Sequence, residues 1–471
     1  MSQDVAKADV TKRSLHETNW RWLALLFHSF LMFGGFYVED LPQTIQTRFQ
    51  ETPFNQSNVQ FNSLYSVYSF PNAILPFVGG LLIDRYGIRP MIIIFALIVA
   101  LGQGIFTLGV AEVNYSLMII GRLVFALGGE NYSMAQTILT TKWFLKADLA
   151  FALGITMVVN RSAMLFNSYF SPRLAESSDN LWYPSVVGTI ICTSSCLCAI
   201  AATWMDYYSD KYAPQSPPED SSTQSEGGQR PEESTFKSVV RDLFQLKFEL
   251  WLVVLNLTLV YSSINTFIAN ANDILVQRFG FSEVGAGSIL CIVYATTMVS
   301  PLFGLLIDKY DGKKYWSSFS AVIIFTAHLI LAYAPSSQEP SIWKTCIPLL
   351  LFGLGYTIYS TVIWVMIPDF VEERLIGMSY GLATAALNSS SSLMTLLAGV
   401  LQDYSKEYKS GYFYSELLVA GLALGGLFVS LKIKNSKTPV KNDIEPCSSR
   451  APSMIKEPGV VPNYQSLSEE L

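Results

Sequence analysis

GLLIDRYGIRP at residues 80–90 and GLLIDKYDGKK at 304–314 are two versions of one motif. Each follows the second long apolar run of its half of the chain. Asp84 and Asp308 each stand four residues after a glycine, Gly80 and Gly304, and directly before a basic residue, Arg85 and Lys309. Basic, glycine-containing turns are common between helices. Two matching copies at corresponding places point further, to a duplicated helical architecture.

The rest of the chain supports that reading. Of its 471 residues, 51% are hydrophobic and 14% charged, against about 25% charged in a typical soluble protein. The charges gather in the tails, in one central loop and in short connectors. Between them lie twelve apolar runs, from 20–40 to 411–432, each near the ~20 residues that carry a helix across the hydrocarbon core. Lipid offers the backbone no hydrogen bonds, so spans of this length must be helices. The expected fold is an all-α polytopic membrane protein, with twelve transmembrane helices in two six-helix pseudo-repeats.

The expected organisation is an N-terminal tail at 1–19, a first bundle at 20–206, a linker at 207–248, a second bundle at 249–432 and a C-terminal tail at 433–471. The linker includes APQSPPEDSSTQSEGGQRPEES, rich in Pro, Ser, Gly and charge, a composition that favours disorder. Lysines and arginines concentrate on the side of both termini, which predicts that both are cytosolic. No basic cluster points to nucleic acid. No Walker loop, zinc spacing or nucleophile motif stands in a suitable context, so neither an enzyme nor a cofactor is expected. The cysteines avoid the long connectors and predict no disulfide framework.

Two charges stand inside the apolar runs. An ionised side chain at the centre of a span costs about 2.5–3.5 kcal/mol on insertion scales. Glu130 lies in the fourth span (117–141) and Arg161 in the fifth (149–171), and these run in opposite directions. At about 1.5 Å per residue both sit about 17 Å from the same edge of a core about 30 Å thick. One reading is a fixed salt bridge that staples the two helices. The other is a cavity holding a cation and an anion apart, matched by a zwitterion with its carboxylate on Arg161 and its ammonium on Glu130. Arg122 lies nearer the lumenal end and reads as structural. Glu39 and Asp40, at the lumenal end of the first span, read as reaching water, with a vestibule role as the lesser reading. The second half presents neutral groups: Asn256, Asn265, Tyr356, Tyr359 and Trp364.

GxxxDRxGxR between the second and third spans resembles the signature loop of the major facilitator superfamily. Gly121-Arg122 in the fourth span resembles that superfamily's second motif. The resemblance implies a cytosolic gate in which Gly80, Asp84, Arg85 and Arg89 latch the two halves together. Asp308 and Lys309 would form the second copy, whose turn carries an extra residue before Gly312. SFPNAILPFVGGLLIDRYGIR (69–89), GRLVFALGGENYSMAQ (121–136), the WF at 143–144, RFGFSEVGAGS (278–288) and VSPLFGLLIDK (299–309) are similar to the major facilitator superfamily domain-containing protein 1 group of lysosomal dipeptide transporters. That resemblance implies that Glu130, Arg161 and Trp364 bind a dipeptide, although Val365 stands where the group has proline. It also implies passive uniport out of the lysosome and a glycosylated single-span accessory subunit. Proton-coupled symport of peptides or organic anions, a transporter-like nutrient sensor and a plasma-membrane location stay open as alternatives.

Two peripheral patterns bear on location. YQSL at 464–467 fits a tyrosine-based sorting signal, with Tyr464 and Leu467 read by a clathrin adaptor. NQS at 55–57 makes Asn55 the expected glycosylation site in the first lumenal loop.

Overall fold

The computed structural model describes residues 19–144, 148–212, 246–310, 312–337, 339–371, 375–408 and 412–434. Tyr464 and Leu467 lie outside these residues, as does the side chain of Asp308. The first half contains α1 (Trp20–Glu39), α2 (Asn58–Ala73 continued by Leu75–Tyr86), α3 (Ile88–Ala111), α4 (Tyr115–Trp143), α5 (Leu149–Ser178) and α6 (Trp182–Tyr212). The second contains α7 (Phe248–Phe279), α8 (Glu283–Thr297 and Ser300–Lys309), α9 (Lys313–Tyr333), α10 (Ile342–Met366), α11 (Ile376–Tyr404) and α12 (Tyr412–Lys432). Among the described residues nine helices are long and apolar enough to cross a membrane, and the bent pair of α2 makes a tenth. With α4 and α5, at 29 and 30 residues, the described residues hold twelve long helices, counting the bent pair as one. The end that carries Trp20 and Lys432 is called the terminal side below, and the opposite end the far side.

Each half has its own apolar core. The seam between α3 and α4 is close-packed. A Cβ at Gly102 would fall 2.3 Å from the backbone nitrogen of Phe125, and one at Gly121 would fall 2.4 Å from that of Phe106. Gly109 and Gly128 repeat the pattern one heptad away on each helix. Small residues let membrane helices approach until their backbones touch, and dispersion then holds them.

Breaks in α1 and α2 shape the middle of the molecule. α1 breaks between Phe30 and Phe33, and the Gly34 N–H donates to Ser195 Oγ of α6 at 2.9 Å. α2 bends by 51° at the break between Ala73 and Leu75, where the ring of Pro76 removes the helical donor to Asn72 four residues earlier. The freed Asn72 carbonyl accepts from Asn388 Nδ2 of α11 at 3.3 Å. Arg122, almost wholly buried, donates to the carbonyls of Glu39 at 3.0 Å, Val38 at 3.3 Å and Leu64 at 3.4 Å. Its guanidinium lies 5.3–5.4 Å from the ring centres of Tyr65, Tyr68 and Phe125. It thus ties α4 to the ends of α1 and α2, the structural role read from its depth.

α6 runs to Tyr212, past the expected boundary at 206. Its last turns are fixed by charge. Asp206 Oδ2 accepts from Arg89 Nε at 2.6 Å and from Lys142 Nζ at 2.8 Å, and Asp206 Oδ1 accepts from Trp143 Nε1 at 3.0 Å. Asp210 also pairs with Arg89 and Lys142.

Candidate functional site

A cavity of about 160 Å³ lies at mid-depth between the halves. Its walls come from α1 (Phe36, Glu39 and the adjoining Asp40), α2 (Tyr65, Tyr68, Ser69), α4 (Glu130) and α5 (Arg161, Met164) on one side. α7 (Asn265, Ile268, Ala269), α10 (Tyr356) and α11 (Leu387, Asn388, Ser391, Thr395) close it on the other. Glu130 and Arg161 therefore share one chamber. They are not an ion pair, and neither has a charged hydrogen-bond partner among the described residues. The Arg161 guanidinium lies 5.3 Å from the ring centre of Tyr356, a residue of the opposite half with whose side chain it interacts, and Nη1 makes a weak contact with Met164 Sδ at 3.5 Å. Its planar fork is left available for an anion. The stapling salt bridge is absent from this arrangement.

Glu39 and Asp40 follow the lesser of their two sequence readings. Both line the cavity instead of leaving the membrane. The cause is the path of the chain after α1. Two short helices, Leu41–Thr44 and Gln46–Gln50, fold back across the far end of the cavity. Asp40, Gln43, Thr44, Gln46 and Thr47 are all buried. Glu39 lines the same cavity as the two charges singled out in the sequence and is within electrostatic range of both. The cavity wall thus carries the carboxylates of Glu39, Asp40 and Glu130 against the guanidinium of Arg161. Pro42 just after an acidic pair was the available sequence signal, since proline at the first turn starts a new helix.

The neutral residues of the second half divide into two groups. Asn265 and Tyr356 face the cavity. Tyr359 donates to Asn256 Oδ1 at 2.9 Å, and Asn256 Nδ2 donates to the Gly426 carbonyl at 2.6 Å, so this pair joins helices behind the wall. Trp364 also stands behind it. Its Nε1 donates to Tyr261 Oη at 2.9 Å and its ring stacks on Tyr380 at 6.0 Å between centroids.

Among the described residues, hydrogen bonds between the halves lie on the far side and at mid-depth. On the far side Arg48 Nε donates to Glu283 at 2.6 Å, and Thr47 Oγ1 and Gln50 Nε2 each donate to Asp273 at 3.0 Å. Asp403, near the end of α11, accepts from the first backbone N–H groups of α2, Asn58 and Val59, at 3.0 Å each, and from Asn58 Nδ2 at 2.9 Å. On the terminal side of the Asn72–Asn388 contact, no hydrogen bond or ion pair joins the halves among the described residues. The cavity is closed toward the far side.

The residues expected to latch the terminal side are apart in this arrangement. Asp84 and Arg85 are exposed, and a side chain at Gly80 would meet only Met134 Cε at 4.0 Å. Lys309 is exposed beside Tyr310. Arg89 bonds within its own half, to Asp206 and Asp210, because the start of α3 packs beside the end of α6. Asn55 is exposed on the far side, in the turn before α2, and Ser57 caps α2 by accepting from the Gln60 N–H at 3.2 Å.

The profile of the Major Facilitator Superfamily matches residues 18–395. The chain belongs to this superfamily. Membership makes it a transporter rather than an enzyme. It is 29% identical over 425 residues to the lysosomal dipeptide transporter MFSD1 of Homo sapiens, which covers 87% of this chain and 85% of that protein. It is also 29% identical to the protein of the same name from Danio rerio, over 87% of this chain and 86% of the relative. A solved bacterial homologue of the human lysosomal transporter Spinster, in an inward-facing and unoccupied conformation, superposes with a TM-score of 0.67. It is 15% identical and covers 90% of this chain and 100% of the other, a likeness of fold.

Proposed function

We propose that this multi-pass membrane protein carries small zwitterionic peptides, dipeptides above all, across a lysosomal or endosomal membrane by alternating access. The observation that carries the reading is that Glu130 and Arg161 line one cavity between the halves without pairing. A buried ionised group needs compensation. A peptide with an ammonium at one end and a carboxylate at the other supplies it for both, with the carboxylate on Arg161. The neutral polar wall of Asn265, Asn388, Ser391 and Thr395 offers donors and acceptors to the peptide bond without demanding one side chain. The names of the relatives from Homo sapiens and Danio rerio support the substrate class and the lysosomal location.

With the termini cytosolic, the far side is lumenal. The closed far side and the parted Asp84–Arg85 region then correspond to the state that releases substrate to the cytosol. Gly80, Asp84, Arg85, Lys309 and Asp308 close the terminal side in the opposite state. Asn55 carries the glycan. Trp364 acts on the site through Tyr261 and Tyr380. Uptake of labelled dipeptides into proteoliposomes, set against free amino acids, sugars and organic anions, tests the proposal. Uptake of sugars in preference to dipeptides overturns it.

A second reading, proton-coupled symport, is favoured by the excess of carboxylates around a single guanidinium. Passive uniport predicts dipeptide flux without acidification of the vesicle interior. Acidification evoked by dipeptide establishes symport instead.

A further inference from the structure

The segment 40–50 does two things at once. Its first residue, Asp40, lines the cavity, and its later residues bond to α7 of the other half. Tyr294 of α8, in the second half, donates its hydroxyl to Asp40 Oδ2 at 2.8 Å. The same hydroxyl accepts from Gln43 Nε2 at 3.0 Å, which directs its proton toward Asp40. The Gln43 N–H in turn donates to Tyr65 Oη at 2.9 Å, and Tyr65 is a cavity wall. Beyond Gln43 the strap bonds to α7 almost residue by residue: Asn272 Nδ2 to the Thr44 carbonyl at 2.9 Å, Gln46 Nε2 to Asn270 at 3.3 Å and Thr47 Oγ1 to Asp273 at 3.0 Å.

We propose that the 40–50 strap is the far-side gate and that the Tyr294 hydroxyl on Asp40 is the bond that joins the gate to the site. Every listener to this bond is buried: Asp40, Gln43 and Tyr294 are each under one tenth exposed. When the far side opens, α8 moves away from α1, and Asp40 exchanges Tyr294 for water or for a cationic group entering the cavity. When it closes, the tyrosine hydroxyl returns and offsets the desolvation of the carboxylate. An empty carrier can therefore close without a bound cation beside Asp40. The gate needs an acceptor at position 40, not a charge. This goes beyond the dipeptide proposal and does not depend on which substrate the cavity takes.

The test reads the ligand-free full chain, so the identity of the substrate does not enter. Spin labels at the exposed far-side positions Ser177 and Lys344, one in each half, report far-side opening as a distance distribution. Tyr294→Phe keeps the ring and removes only the hydroxyl. It is expected to raise the ratio of far-side-open to far-side-closed molecules about tenfold, the worth of one hydrogen bond to a charged acceptor. Asp40→Asn keeps an acceptor oxygen and is expected to leave the ratio within about threefold of wild type, as for the exchange of a charged for a neutral acceptor. Gln43→Met removes the bond that orients the hydroxyl and, should Tyr294→Phe fail to fold, gives the same direction of shift at a few-fold size. Unchanged distributions in Tyr294→Phe or Gln43→Met overturn the proposal. So does opening in Asp40→Asn as large as in Tyr294→Phe, since the charge would then be what holds the gate.

Discussion

Two arginines sit inside the first bundle, and the structure assigns them opposite consequences when removed. Arg122→Ala deletes bonds to three carbonyls at 3.0–3.4 Å and the cation beside three aromatic rings. At about 1 kcal/mol for each hydrogen bond and about 1 kcal/mol for the aromatic contacts together, the loss is about 4 kcal/mol. The carbonyls of Leu64, Val38 and Glu39 are also left facing a low-dielectric interior. Arg161→Ala deletes a weak sulfur contact and the contact with the Tyr356 side chain, and breaks no ion pair among the described residues. Its structural cost is about 1 kcal/mol or less. If Arg161 holds the substrate carboxylate, however, the loss of a charge-assisted pair is about 3 kcal/mol, roughly a hundredfold in uptake efficiency. The assay pairs thermal melting of purified protein with dipeptide uptake into proteoliposomes. Arg122→Ala should melt early and Arg161→Ala should melt like wild type yet fail to transport. Near-normal uptake in Arg161→Ala, or an early melt as large as that of Arg122→Ala, would refute the assignment.

Glu130→Gln should lower dipeptide uptake at least tenfold with no change in melting, because the Glu130 carboxylate, on the cavity wall, has no side-chain hydrogen bond or ion pair among the described residues; retained uptake places the ammonium elsewhere, with Glu39 the next candidate. Gly121→Ala should destabilise the protein by several kcal/mol, at about 1–3 kcal/mol per overpacked contact, since its Cβ meets the Phe106 backbone. Gly104→Ala, with no atom within 4 Å, should not, and comparable melting of the two would remove the α3–α4 seam as a determinant. Asp403→Ala frees the start of α2 from α11 and should raise the ratio of far-side-open to far-side-closed molecules, read from spin-label distance distributions, by up to about tenfold, the worth of a helix cap; an unshifted distribution would show that the clasp carries no weight.

The legibility of this protein varied with the range of the interaction. Asp84 and Asp308 could be recognised as copies because a turn between two helices is a local matter of glycine, charge and spacing. Glu130 and Arg161 were found because burial of charge is costly wherever the helices go, and because counting residues gives depth in a slab. Depth does not give azimuth. That is why Tyr356 and Asn265 could not be told from Tyr359 and Asn256, although all four lie in polar-spotted spans of the second half. Trp364 was expected at the substrate and stands one layer behind it, because its indole N–H is used on Tyr261. Arg89 was expected to act between the halves and is bonded inside one of them, since the partner of a long basic side chain depends on which helix end lies beside it.

By its order of residues alone, the chain determined that it crosses a membrane as two related six-helix sets, and at what depth its buried charges lie. Hydrophobic length and the unpaired backbone in lipid leave no other solution. Only the packed structure decided which charges share a chamber and which side of it is shut. Those are properties of the contact between two halves far apart in sequence. Asp40 is the case in point: a carboxylate at the end of a span is free to face water until Tyr294, brought from the second half, closes over it.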